Sequence, residues 1–122
     1  MVTNMGRKTM VEFAPNIPID EETGWFLFPS DTSWRKSLFP PEVNEHPAKM
    51  NLHLQKAIID YVSIPGDILL DPFGGIGSLM IGALTGRTCI LLELEDGYHQ
   101  LEQKAYNMLK VNHPDMAPVI LL

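Results

Sequence analysis

Short apolar runs alternate with segments of helical periodicity in the second half of the chain, and this alternation most narrows the folds available to it. The apolar runs are 67–71, 88–93 and 118–122. The helical segments are 51–64, 78–84 and the stretch that starts at Asp96. Strands that are apolar throughout are typical of parallel sheets covered on both faces, and right-handed crossovers place them in the spatial order third, second, first. We therefore predict an α/β fold, one part of a doubly wound sheet of three parallel strands with flanking helices.

Single residues indicate where the helices begin and end. Ser78 is a residue type that caps helix N-termini, so we expect it to cap the second helix, which should end at Gly86. Asp96 is expected to cap the last helix in the same way. One face of that helix is apolar, and it carries Tyr98, Leu101, Ala105 and Met108.

Residues 1–45 differ from the rest of the chain. Prolines recur at positions 15, 18, 29, 40 and 41, and aromatic side chains are interleaved with them. Because proline fixes φ and removes a backbone donor, no regular period persists, yet the many aromatic residues argue against free disorder. We predict an irregular N-terminal arm over 1–45 that packs by its aromatic side chains, and an incomplete α/β domain over 46–122.

Size and charge limit the possible functions. The chain has 122 residues, enough for one small domain, and 9 basic against 15 acidic residues give a net charge of −6. A protein that holds duplex DNA by itself usually presents a basic face, so this chain is poorly equipped to do so unaided.

The apolar runs are far shorter than the roughly 20 residues of a membrane span. The single cysteine, Cys89, excludes an internal disulfide, fits a reducing compartment, and is too few for a Cys/His zinc site, so we expect no bound metal.

A glycine-rich turn, DPFGGIG from Asp71 to Gly77, follows the first predicted strand. Its glycines allow the chain to turn sharply from strand to helix and allow a ligand to approach the backbone closely. Glu93 stands 93 − 71 = 22 positions after Asp71, at the end of the second predicted strand. That is about the spacing at which an acid reaches ribose hydroxyls in such folds, so a nucleotide-like cofactor is expected here.

The residues of the turn narrow the choice of cofactor. Met80 stands where a dinucleotide-binding turn has its third glycine, and no Gly-Lys-Ser/Thr follows, so NAD and an ATP-binding phosphate loop are both disfavoured. An acid at the head of the loop does not suit a pyrophosphate but does suit a cation. We therefore expect Asp71 near the sulfonium or the amino group of S-adenosylmethionine. The alternative is a purely structural glycine turn in which Asp71 caps the following helix.

Three segments follow one another along the chain: HPAKM at 46–50, GDILLDPFGGIG at 66–77, and the pair GR at 86–87 with ELEDGY at 93–98. In this order they resemble the DNA amino-methyltransferases, whose Rossmann-like domain binds S-adenosylmethionine. The resemblance covers residues 34–109. It implies transfer of a methyl group to adenine N6 or cytosine N4, DNA as a partner, and a prokaryotic or phage-encoded, cytoplasmic protein of the restriction–modification type.

The resemblance also implies a role for each matching residue. The first segment, with His46, Pro47, Ala48 and Lys49, would lie against the methionine end of the cofactor. The floor of the pocket would be formed by Asp71, Pro72, Phe73, Gly74, Gly75, Gly77 and Ser78. Glu93 would bind the ribose hydroxyls, and Leu94 would pack on the adenine. Ser78-Leu79 departs from the Thr-Thr or Ser-Thr of the family pattern, which weakens the expected hydroxyl contacts to the methionine carboxylate.

The catalytic motif of this family, Asp, Asn or Ser followed by Pro-Pro and an aromatic residue, has no match here. Pro40-Pro41 is preceded by Phe39 and followed by Glu42. In members with this motif order, the catalytic strand follows the third strand. We therefore hypothesise the cofactor-binding portion of a methyltransferase, a truncated product or one piece of a split enzyme, that contacts DNA through parts outside this chain.

Two alternatives remain open at this point. One is a non-catalytic complementation or binding module, and the other is an RNA or small-molecule methyltransferase. In the favoured hypothesis the first strand, 67–71, should pair on its outer side with the absent catalytic strand, and without that strand it leaves backbone groups unpaired. We expect that edge to be covered by the N-terminal arm, by another copy of the chain, or by a complementing chain.

Overall fold

Three short parallel strands form one sheet. The computed structural model of the chain describes residues 11–46 and 49–122, with strands β1 (Ile68–Asp71), β2 (Thr88–Leu91) and β3 (Val119–Leu121). β2 lies between the other two, so the predicted spatial order is confirmed. Cys89 of β2 pairs in register with Leu69 of β1 and Val119 of β3. The predicted α/β class with a partial, open parallel sheet is therefore confirmed.

Helices of two kinds flank the sheet. The α-helices are α1 (Thr32–Leu38), α2 (Leu52–Val62) and α3 (Asp96–Asn112), and 3₁₀ helices span Pro41–Glu45 and Ser78–Thr85. The N-terminal arm thus holds more regular structure than its proline content predicts. Pro41 contributes to this, because a proline at the first position of a helix has the required φ and lacks only a donor that would be unpaired there.

Both predicted helix caps are wrong by one residue. Gly77 adopts a left-handed conformation with φ of 95° and precedes the 3₁₀ helix, so Ser78 is already the first helical residue. Glu95 is extended, with φ of −80° and ψ of 115°, and is the N-cap of α3, so Asp96 begins the helix and does not cap it. Gly86, with φ of 92°, ends the 3₁₀ helix as predicted, because glycine adopts this conformation without steric cost.

Only one face of the sheet is covered by the described residues. The Ser78–Thr85 helix packs on β1 and β2, and α3 packs on β3. Cys89 and Leu91 point to this side and are fully buried. On the opposite face Ile68 and Leu70 are 68% and 62% exposed, and Ile120 is also exposed. The expectation that both faces would be covered is therefore wrong for the described parts of the chain, because both crossover helices lie on the same side.

The outer edge of β1 is likewise open. β1 is the first strand of a three-stranded sheet, and no strand within 11–46 or 49–122 pairs with its other side. The arm forms only an isolated antiparallel bridge within itself, between Ile19 and Phe26. The described part of the arm thus adds no strand to this edge.

One hydrophobic core joins the arm to the sheet domain. Leu38, Phe39 and Val43 of the arm are buried in the same cluster as Leu52 of α2 and Leu91 of β2. Burial of a side chain of this size stabilises a fold by about 1.5–3 kcal/mol relative to its exposed state. The aromatic and aliphatic side chains of the arm therefore pack onto the domain, although Trp25 remains 71% exposed.

A buried polar contact fixes the arm to the start of α2. Asp31 Oδ2 accepts hydrogen bonds from Arg35 Nη2 and from the backbone N–H of Leu52, both at 2.8 Å. The same Arg35 nitrogen donates to the carbonyl oxygen of Met50 at 2.6 Å. Burial raises the pKa of Asp31, but the N–H of Leu52 and the Arg35 guanidinium outweigh it and hold that pKa below its usual value.

Replacement of Asp31 tests whether this partly buried ion pair contributes more to the free energy of unfolding than an exposed ion pair does. We expect Asp31→Ala to lower the free energy of unfolding by about 2–3 kcal/mol, because Arg35 and the N–H of Leu52 lose their acceptor. Lys56→Ala is the matched control, since Lys56 and Asp60 form an exposed ion pair with the same i, i+4 spacing. It should cost at most about 0.5 kcal/mol. Urea denaturation followed by circular dichroism measures both free energies, and equal losses would show that the Asp31–Arg35 contact stabilises the fold no more than the exposed pair does.

Candidate functional site

The chain makes a tight turn where β1 ends. Asp71 is the last residue of β1, and its Oδ1 accepts a hydrogen bond from the backbone N–H of Phe73 at 2.9 Å. The N–H of Gly74 then donates to the carbonyl oxygen of Leu92, just beyond β2, at 2.7 Å. These bonds hold residues 72–77, called the glycine turn below, against the end of β2.

Glu93 approaches the same turn from the end of β2. Its Oε1 accepts a hydrogen bond from the N–H of Gly75, and its Oε2 accepts one from the N–H of Glu95, both at 2.8 Å. Asp71 and Glu93 are predicted from their spacing to share one site. In the structure both bind backbone N–H groups at the carboxyl ends of β1 and β2. The structural alternative, in which Asp71 caps the following helix, is wrong, because the N-cap of that helix is Gly77 and no side chain caps it. The Asp71 contact stabilises the turn itself.

Glycine is required at two positions of the glycine turn. Gly75 has φ of 58° and Gly77 has φ of 95°, which are left-handed conformations that other residues adopt only with strain. Gly74 is buried and Gly75 is partly exposed, so the backbone of the turn reaches solvent beside Glu93. Ser78, partly exposed, continues directly from the turn into the 3₁₀ helix.

The structure brings His46 to the glycine turn. Its Nε2 lies 3.6 Å from the position that a Cβ on Gly75 would occupy, and its ring centroid lies 4.4 Å from that of Tyr98. Lys49 is exposed, and its Nζ donates to the carbonyl oxygen of His46 at 3.1 Å. The predicted site residues Pro47 and Ala48 lie outside the described residues.

Apolar side chains lie exposed on both sides of the two carboxylates. Phe73 is 86% exposed and Leu94 is 101% exposed, and Pro72 is also exposed. Large apolar side chains that are left in solvent next to hydrogen-bonding groups are typical of binding surfaces. The surface at the carboxyl ends of β1 and β2 therefore combines acceptor oxygens with apolar side chains, which suits a ligand that has both hydroxyl groups and a flat ring.

Glu102 is the functional candidate that sequence reasoning missed. It lies on α3 and is fully buried, and neither carboxylate oxygen has a hydrogen-bond partner among the described residues. Burial, and then repulsion from Glu93 and Asp71, raises the pKa of Glu102 to about 7. Its position was predictable, because Ala105 and Leu109 follow at i+3 and i+7 and are also buried.

Other chemistries find little support in the described parts of the chain. No group of three or more His, Cys, Asp or Glu side chains in 11–46 and 49–122 is arranged to hold a metal ion. Burial raises the pKa of the Cys89 thiol to about 11, so this residue is not an activated nucleophile. None of the helices in these ranges is both long and apolar enough to span a membrane.

Comparison with known proteins identifies one family. A family model described as DNA methylase, of the N6-adenine and N4-cytosine type, matches residues 2–104. The match includes β1, the glycine turn, β2 and the first half of α3. A search of curated proteins finds no match.

A methyl group added at Gly74 should test the packing between the glycine turn and Glu102. It would overlap Glu102 Oε2 and lie 3.2 Å from Leu91 Cβ, so Gly74→Ala should cost about 1–3 kcal/mol of stability. At Gly97 a methyl group meets no described atom within 4 Å, so Gly97→Ala should be neutral or stabilise by up to about 1 kcal/mol. Urea denaturation gives both values.

A double variant isolates the contact. Glu102→Ala removes the overlapping carboxyl group, so the cost of Gly74→Ala should fall by more than half in that background. An unchanged cost would show that Glu102 does not support the turn.

Proposed function

Because the chain belongs to the DNA methylase family, we propose that it binds S-adenosylmethionine at the glycine turn and supplies this cofactor site for methylation of an exocyclic amino group of adenine or cytosine. Methyltransferase function and DNA as the substrate class follow from the family. The family match also favours DNA over the RNA and small-molecule acceptors. The position of the site is supported by one observation, the convergence of Asp71 and Glu93 on the same turn.

The side chains at the carboxyl ends of β1 and β2 offer the groups that the cofactor needs. Each Glu93 oxygen accepts one backbone hydrogen bond, and a carboxylate oxygen has a second lone pair with which it can accept a ribose hydroxyl. The exposed Leu94 adjoins Glu93 and offers apolar surface for the adenine ring. Asp71 has one oxygen bound to Phe73 N–H and retains negative charge for the cationic end of the ligand.

The methionine end is assigned to the segment that includes His46 and Lys49. His46 reaches the turn at Gly75, which supports this assignment. Lys49 carries a positive charge next to it and is suited to a carboxylate. The roles of Pro47, Ala48, Pro72, Gly74, Gly77 and Ser78 rest on the resemblance and form part of the same proposal.

Catalysis is proposed to need a segment that these 122 residues do not contain. Neither Pro40-Pro41 nor any other stretch supplies the Pro-Pro-aromatic motif that receives the target amino group. The open edge of β1 supports a missing neighbour in the sheet, contributed by a complementing chain or a second copy. The exposed Ile68 and Leu70 support a further packing partner over the uncovered face. The same absence favours, as a second candidate, a module that binds the cofactor or a partner subunit without performing chemistry.

Titration calorimetry with S-adenosylmethionine tests the cofactor site. We expect the wild-type chain to bind, and Glu93→Gln to weaken binding at least tenfold, because an uncharged amide accepts ribose hydroxyls less well. Glu95→Gln is the matched control, since Glu95 is an exposed acid two residues away and should leave the affinity within about twofold. Equal affinities of the wild type and Glu93→Gln would refute the assignment of Glu93.

A methyl-transfer assay tests the division of labour. The pure chain, incubated with radiolabelled S-adenosylmethionine and unmethylated DNA, should give no incorporation above background. Addition of a chain that carries the Pro-Pro-aromatic motif should restore it. Robust incorporation by the chain alone would overturn the proposed incompleteness, and binding without incorporation under both conditions would favour the non-catalytic module.

A further inference from the structure

One buried acid lies directly behind the glycine turn. Glu102 is 0% exposed, and its carboxylate oxygens receive no hydrogen bond from any residue that the structure describes. Its Oε2 occupies the space in which a side chain on Gly74 would begin, and its Cγ lies 3.8 Å from where a Cβ on Gly77 would stand. The carboxyl group thus faces the turn from the protein interior, while Glu93 binds the turn from its other side.

The charges around this carboxyl group are mostly negative. Asp71 and Glu93 oppose its ionisation from the ends of β1 and β2, which adds to the effect of burial. On its own helix, His99 Nδ1 lies 3.4 Å from Glu102 Oε1 and forms no hydrogen bond with any described residue. Near neutral pH both the neutral and the ionised forms of Glu102 are therefore populated.

The elements packed against α3 add few free charges. α1 brings Arg35, which is bound by Asp31, and the exposed Lys36. The Pro41–Glu45 helix brings Glu42, which is paired with Lys104 of α3. β3 has no ionisable side chain. His46 reaches the same turn through Gly75, with the Tyr98 ring against it and Lys49 Nζ on its carbonyl oxygen.

We propose that Glu102 is a positioning residue that couples cofactor binding to the loss of its own proton, so that the site favours S-adenosylmethionine over S-adenosylhomocysteine more strongly as pH rises. The inference rests on the proposed function and adds a regulation of that site. The observation that carries it is the fully buried carboxyl group beneath the turn, which accepts no hydrogen bond from any described residue.

The coupling follows from charge. Glu102 is fully buried directly behind the backbone of the glycine turn, so that backbone would lie between Glu102 and a ligand bound on the outer side of the turn. The sulfonium of S-adenosylmethionine stabilises the Glu102 carboxylate, and the released proton passes to solvent, whereas the thioether of S-adenosylhomocysteine has no such charge. A unit charge roughly 10 Å away, at an effective dielectric of about 20, lowers a pKa by about one unit.

Calorimetry at pH 7, in two buffers with different ionisation enthalpies, measures the released protons. For the wild-type chain we expect roughly 0.4 proton released per S-adenosylmethionine bound, and close to none for S-adenosylhomocysteine. Glu102→Gln keeps the shape of the side chain but has no proton to release, so the 0.4 proton should disappear. Any titration of the ligand's own amino group is the same in both proteins and cancels in the difference.

The pH dependence of affinity provides a second readout. In the wild type, the ratio of the Kd for S-adenosylhomocysteine to the Kd for S-adenosylmethionine should rise about fivefold from pH 6 to pH 8. In Glu102→Gln the ratio should stay constant, apart from any titration of the ligands themselves. Circular dichroism of the variant provides the check that the fold is retained.

The outcomes separate this inference from the proposed function. Binding of S-adenosylmethionine with equal proton release by the wild type and Glu102→Gln would overturn the coupling and leave the cofactor site standing. Absence of binding by the wild type at every pH would overturn both. If Glu102→Gln does not fold, the wild-type ratio decides alone, because a constant ratio from pH 6 to pH 8 would overturn the coupling.

Discussion

The structure depends on two backbone hydrogen bonds that join the ends of β1 and β2. The N–H of Leu92 donates to the carbonyl oxygen of Asp71 at 2.9 Å, and the N–H of Gly74 donates to the carbonyl oxygen of Leu92 at 2.7 Å. They bring the glycine turn back against β2, where Glu93 reaches it from one side and Glu102 from the other. The relation between these three acids is therefore set by the backbone.

The three acids make the glycine turn and its surroundings favour cationic over anionic ligands. Asp71, Glu93 and Glu102 lie close enough that the first two raise the pKa of the third. An acidic surface of this kind attracts a sulfonium cation and repels phosphodiesters. Its negative charge has the same sign as the net charge of the chain, −6. In a family that methylates DNA, we therefore expect the nucleic acid to be held mainly by other surfaces than this one.

The strand order was predictable because apolar runs and helical periods are local patterns and the hand of a parallel crossover is nearly invariant. That Asp71 and Glu93 both bind the glycine turn follows from the same logic, since Asp71 ends β1 and Glu93 lies two residues beyond the end of the adjacent parallel strand β2. Coverage of a single face follows from the same rule, because two successive right-handed crossovers in one direction place both helices on the same side. The expectation that both faces would be covered rested on the apolar character of the strands alone. Glu102 was missed for a related reason: its charge suggests solvent, whereas its spacing from Ala105 and Leu109 places it inside.

The position of Cys89 gives the fold an internal reporter of its own opening. This only thiol of the chain lies on the middle strand and is fully buried. Because the thiolate is the reactive form and its formation is suppressed in the native state, an alkylating reagent can reach and modify it only after the neighbouring elements part. The labelling rate of one atom thus records how often the centre of the sheet becomes accessible.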